Sequence, residues 1–249
     1  MLKTYLTLTK YLSNNTLPIQ MKYIPNDWTI KQNNLKKLLS KAETFNDGIR
    51  LLLDMHSMLH DKKVYKNNEE TIYNTLWVNL KNETCKIITN KETSILWDIW
   101  HITRIEDIVA NTIIGNTEEV LTNEILEQLN IKTKDTGNAM SKDEIELLNK
   151  NINIKMLNEY RVEVGKQTAK IIRELKYSDM KRKAESKQLD KIMKNGGLLE
   201  DKKSKWLLDY WGSKNMLGLI MMPITRHQTM HLNDCFSIKE KGVSGLGWT

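Results

Sequence analysis

SILWDIWHITRIEDIVANTIIG, residues 94–115, decides the fold class of this chain. Trp97, His101, Ile105 and Ile108 recur at spacings of four, four and three, which places them on one stripe of an α-helix. Ile95, Ile99, Ile102 and Val109 widen that stripe into a broad apolar arc. Thr89-x-x-Glu92, just upstream, reads as a capping box, and Gly115 reads as the C-terminal stop. His101 stands among large apolar groups, so the pattern predicts that it is buried.

Three further long helices follow from the same periodicity. From Asn46, with Asp47 in the positive first turn, Ile49, Leu52, Leu53, His56 and His60 repeat at helical spacing until DKKVYKNNEE stops the run. Met156, Leu157, Tyr160, Val164, Thr168, Ile171, Ile172 and Leu175 mark the inner face of a helix over 154–177. The last long element, KWLLDYWGSKNMLGLIMMPITRHQTMHLNDCFSIKE, is apolar almost all round before Pro223, the mark of a buried helix. Pro223 lacks an N–H for the Leu219 carbonyl, which predicts a kink one turn before His227. Residues 71–80 are a short apolar run that fits helix or strand. The 116–150 segment is long for a bundle loop and is expected to hold short helices, one opened by the capping box Ser141-x-x-Glu144. Another charged helix is expected around KAESKQLDKIM, ending at Gly196-Gly197. With only three prolines and eleven glycines there is no sign of a turn-rich β fold. The expectation is an all-α four-helix bundle with crossover connections and extra short helices. Residues 1–44 read as a partly helical N-terminal extension, 45–240 as the bundle and 241–249 as a loose tail.

Composition narrows the function. The chain has 249 residues, 40% hydrophobic and 28% charged, ordinary for a globular protein with a real core. The net charge of +7 is dispersed, and the densest basic cluster, Lys181–Lys183 with Lys187 and Lys191, is interleaved with Glu185 and Asp190. Nucleic-acid binding is therefore not expected, because a binding face needs its charges gathered. Cys85 and Cys235 are 150 positions apart and read as reduced thiols of a cytoplasmic protein. No stretch approaches the ~18 apolar residues of a membrane span, and the N-terminus lacks the features of a signal peptide.

There are five histidines. His227 and His231 are four apart, so on a helix both imidazoles stand on one face and can address one ion; His101 supplies a third from another helix. Position 228 is Gln, so the general base of a metalloprotease H-E-x-x-H is missing. Asp98 and Asp234 each lie within a turn of a candidate ligand and are the carboxylates expected to hold an imidazole N–H. Glu106 and Asp107 read equally well as structural partners of Arg104, and Cys235 as an inert buried thiol. His56 and His60 also form an i,i+4 pair, but at a helix C-terminus, where they are expected to cap the helix or face solvent.

At these residues the chain resembles the DinB/YfiT-like superfamily of metal-binding helical bundles, related to thiol-dependent maleylpyruvate isomerases and bacillithiol transferases. LWDIWHITRIEDIVAN and PITRHQTMHLND carry the resemblance, with DTGNAMSKDEIELLNKNINIKMLNEYRVEVGKQT between them. It covers roughly residues 45–240. It implies a divalent metal (Zn, Ni, Fe or Co) held by His101, His227 and His231 with water at an open position. It also implies a small-molecule or thiol substrate and a homodimer. The chain departs from the family in the long 116–150 insertion. The first reading is a three-histidine metal protein acting as a metal-dependent hydrolase or a thiol-dependent transferase or isomerase. The alternative is a non-catalytic dimeric helical binding protein with a vestigial pocket, and a nucleic-acid-associated role is the weakest of the three.

Overall fold

A computed structural model describes residues 23–66 and 68–244, whose regular secondary structure is helical. The readings of residues 1–22 and 245–249 lie outside the described residues. We number the helices α1 (Trp28–Leu39), α2 (Phe45–Leu59), α3 (Ile72–Trp77), α4 (Asn82–Cys85), α5 (Ile95–Asp107), α6 (Asn123–Leu129), α7 (Lys142–Asn151), α8 (Ile154–Glu174), α9 (Ser186–Lys194), α10 (Lys202–Ser213), α11 (Met216–Leu219) and α12 (His227–Ser244). Among the described residues there is no strand, only an isolated bridge between Lys183 and Asn215.

The deciding stretch is more deeply set than its periodicity predicts. Every one of the thirteen residues of α5 is buried, because α8 and α12 pack against it while α4 and α7 close its flanks. α2 packs on α8, and α1 lays Trp28, Leu35 and Leu39 into the same core. Leu52, Met55 and Leu59 of α2, Leu157, Tyr160 and Val164 of α8, and Leu232, Cys235 and Ile238 of α12 form that core with the isoleucines of α5.

The start of α5 differs from the expected one. Thr89 closes a backbone turn with Thr93, Glu92 takes φ 57°, and the N-cap is Ser94, whose hydroxyl accepts the Trp97 N–H. The Thr-x-x-Glu pattern therefore marks a turn, while Ser141-x-x-Glu144 is a true capping box at the start of α7. At its other end α5 widens into a π-helical stretch, Ile108–Gly115, and the left-handed residue that ends it is Asn116 (φ 51°), not Gly115. The undecided 71–80 run is helical, as α3. The last element is broken at Lys214, after which Asn215 caps a new helix by accepting the Gly218 N–H. Pro223 produces not a sharp break but a second π-helical stretch, Ile220–Arg226, which runs directly into α12. Such widened turns absorb a missing N–H and re-aim the residues that follow.

One buried cation ties four helices together. Arg161 of α8 donates to the Leu59 carbonyl at the end of α2 (2.9 Å), to Thr103 Oγ1 on α5 (3.1 Å) and to Gln228 Oε1 on α12 (2.8 Å). It also stacks 4.9 Å above the Tyr73 ring of α3. Arg161→Ala should destabilise the protein by about 3–5 kcal/mol, the cost of breaking a buried charge network. Exposed Lys155→Ala should change stability by less than about 0.5 kcal/mol. Urea unfolding of the two variants checks this, and equal, small effects would show that Arg161 is not a structural tie.

Candidate metal centre

His227 and His231 open α12 directly after the π-helical stretch, and His101 faces them from the middle of α5. His101 Nε2 lies 3.2 Å from His227 Nε2, and one ring nitrogen from each of the three histidines falls within 4.8 Å of the others. His101 and His227 are buried, and the His231 side chain keeps 16% exposure. The three residues that the sequence singles out thus come together in space.

Outer contacts orient two of the three rings. His101 Nδ1 is 2.7 Å from the Thr136 carbonyl, which can only accept, so Nδ1 carries the proton and Nε2 presents a lone pair. His231 Nδ1 is 2.7 Å from Asp98 Oδ1, an arrangement that holds an imidazole N–H outward in the same way. His227 Nδ1 has no hydrogen-bond partner among the described residues. Burial, reinforced by the neighbouring His231, pushes the His101 pKa down to about 3 and that of His227 well below the usual range. The inward lone pair of His101 and the two imidazoles beside it, one with an unpartnered buried nitrogen, make a good set of cation ligands. The residues present fit a divalent transition ion.

Of the two carboxylates considered, only Asp98 reaches the centre. It also lies 3.8 Å from Cys235 Sγ, and burial raises its pKa against the pull of His231. Asp234 instead pairs with Lys91 at the surface. Arg104 pairs with Asp107 and Glu119, leaving Glu106 to other partners.

Sequence reasoning missed the strap that holds this face of α5. Four successive carbonyls accept from four α5 side chains: Lys134 from Arg104 (2.8 Å), Asp135 from Trp100 (3.1 Å), Thr136 from His101 and Gly137 from Trp97 (3.2 Å). Gly137 takes φ 77°, and a Cβ there would come within 2.9 Å of Trp97 Nε1. The only sequence signal was the position of this segment inside the long 116–150 connection. That connection does reach the site, through its backbone.

A cavity of about 70 Å³ opens on the three histidines, walled by Trp97, Ile105, Trp206, Tyr210, Met222 and Pro223 among others. Its lining contains no Asp, Glu, Lys or Arg. By that volume it holds a few waters.

The expectation for His56 and His60 is overturned. Both are fully buried, because Tyr65 and the chain leading to α3 cover the end of α2. They face Glu106, which lies 2.8 Å from His56 Nε2 and 3.0 Å from His60 Nε2. Gln228, between His227 and His231 of α12, donates to Glu106 Oε2 (3.0 Å) and to the Ile102 carbonyl (3.1 Å).

No protein-family model matches this chain, and no curated protein matches it.

The buried histidines make a pH prediction. In the metal-free protein His101 and His60 have folded pKa values of about 3, below the ~6.5 of an unfolded histidine. Between these values the unfolded chain binds more protons, so stability is full above pH ~6.5 and is lost as pH falls towards 3. Each such histidine lowers the folding constant about tenfold per pH unit in that window. Urea unfolding of chelator-treated protein at pH 7.5 and pH 5 measures this, and equal stability at the two would refute it.

Proposed function

We propose that this chain is a DinB/YfiT-like metalloprotein in which His101, His227 and His231 hold one divalent ion through their Nε2 atoms. The observation that carries the reading is the convergence of three imidazoles, two with their Nδ1 atoms bound outward, beside a cavity. A divalent ion bound there would act as a Lewis acid and lower the pKa of a coordinated water or thiol. The protein's own contribution is orientation: Thr136 and Asp98 set the rings, and the aromatic wall excludes bulk water.

The cavity lining favours thiol-dependent transfer or isomerisation over hydrolysis. A hydrolase of the H-E-x-x-H kind needs a carboxylate base beside its water, and the lining offers none. A thiol cofactor activated by charge alone needs no such base, and the apolar wall of Trp97, Trp206 and Tyr210 suits a small uncharged electrophile. One observation favours the non-catalytic alternative. The cavity, about 70 Å³, is smaller than the ~150 Å³ that accommodates benzene.

Untagged protein from metal-replete medium should carry an ion that His227→Ala loses, and Asp98→Asn should weaken its binding about 10- to 100-fold. Elemental analysis decides, and an unaltered ion content in His227→Ala would sink the assignment. Cobalt-loaded protein should change its visible absorption when a small thiol such as 2-mercaptoethanol is added. A spectrum that stays fixed across the thiol titration would instead support the vestigial pocket.

A further inference from the structure

His56, His60 and Glu106 play no part in the centre described above, and each of these side chains is 0% exposed. A neutral imidazole carries one N–H and one lone pair, and burying either without a partner is costly. Among the described residues His60 has an aligned partner for neither nitrogen. Its Nδ1 faces Gly165 of α8, where an added Cβ would sit 2.6 Å away, so only glycine lets α8 approach the ring. Its Nε2 is 3.0 Å from Glu106 Oε2 but lies off the hydrogen-bond axis. Ligands bound at about 2.0–2.2 Å around one ion, at right to tetrahedral angles, stand roughly 3–3.4 Å apart. The pair has the separation of two ligands and lacks the alignment of a donor and acceptor.

The neighbours complete the set. The His56 and His60 rings stack with centroids 4.2 Å apart at 28°, as their i,i+4 spacing on α2 requires. Glu106 presents Oε1 to His56 and Oε2 to His60, and one ligand atom from each residue falls within 4.8 Å of the others. Outside this set, His56 Nδ1 is 2.8 Å from the Tyr65 hydroxyl, and Gln228 donates to Glu106 Oε2. Such outer contacts orient ligands and tune their basicity.

We propose that His56, His60 and Glu106 form a second, enclosed metal site. Two imidazole nitrogens and a chelating carboxylate give four donors, a set for a borderline divalent transition ion such as Zn(II), Co(II) or Fe(II). The site is structural in type, because its three side chains are fully enclosed and every donor comes from the protein. Two features set its behaviour. Arg161 approaches Glu106 through the Gln228 amide, and its positive charge weakens the hold on a cation. Full enclosure makes exchange slow, because an ion can leave only when α2 or its covering segment opens.

The inference is independent of the three-histidine reading, and ion counting separates the two. The untagged full-length chain is equilibrated with excess Co(II), gel-filtered and analysed for cobalt, and release to EDTA is followed by absorption. The wild type should hold two ions per chain and release them in a fast and a slow phase. His227→Ala should keep one ion and only the slow phase; Glu106→Gln should keep one ion and only the fast phase. One ion per chain in the wild type together with none in His227→Ala overturns the second site. If Glu106→Gln does not fold, the His227→Ala count alone decides. One ion in both the wild type and His227→Ala, released slowly, would instead remove the three-histidine centre and leave this one standing.

Discussion

α5 is buried on every side, and that constraint governs the rest of the structure. Asp98, His101, Thr103, Arg104, Glu106 and Asp107 all lie on this one helix with no access to bulk water, so each must find its partner inside the protein. Asp98 takes His231 of α12, His101 takes the Thr136 carbonyl, and Arg104 takes Lys134, Asp107, Tyr160 and Glu119. Asp107 in turn accepts the backbone N–H groups of Val120 and Leu121, anchoring the start of the 116–150 segment. The polar groups of one helix thus fix the positions of the elements around it, including the connecting segments that cross it.

Two histidine pairs approach this helix, from α2 to Glu106 and from α12 to His101. The two contact points are five residues apart, about 7.5 Å along the axis and about 140° around it. They do not form one site, but they are physically joined. Gln228 sits between His227 and His231 on α12 and spans from Arg161 to Glu106. A shift of α12 that displaced the His227 ring would also disturb the hydrogen bond that steadies Glu106. Histidine pairs thus sit in two different settings: the outer group borders a cavity and keeps some exposure, and the inner group is fully enclosed.

The parts of this arrangement that depend on local spacing were legible in the sequence. The i,i+4 pair His227/His231, the stripe carrying His101 and the Ser141 capping box all rest on residues within one or two turns of each other. What was not legible depends on distant chain. His56 and His60 end a helix beside the polar run DKK, which reads as surface until Tyr65 and Asn74 fold back over them. The strap over α5 is made by carbonyl oxygens, which every residue has, so no residue type could announce it. The misplaced cap has a local cause: Thr89-x-x-Glu92 fits the motif, yet Ser94 caps the helix without an acidic partner at Trp97. The extent of α5 burial was underestimated because a one-sided stripe cannot reveal that strongly polar residues on the other faces are also enclosed.

The rigidity of the three-histidine group and the size of its cavity have separate origins. The three histidines come from α5 and α12, which pack directly against each other and against the rest of the core. Much of the opposite wall, Trp206, Leu207, Tyr210 and Trp211, comes from α10, which packs mainly against the short α9. Local opening follows contact density, so the wall is expected to move at lower cost than the three histidines do. The cavity volume is therefore a property of where α10 rests, while the ring geometry is a property of α5. A ligand larger than a few waters would enter by displacing the aromatic wall, with Thr136 and Asp98 still holding the imidazoles in place.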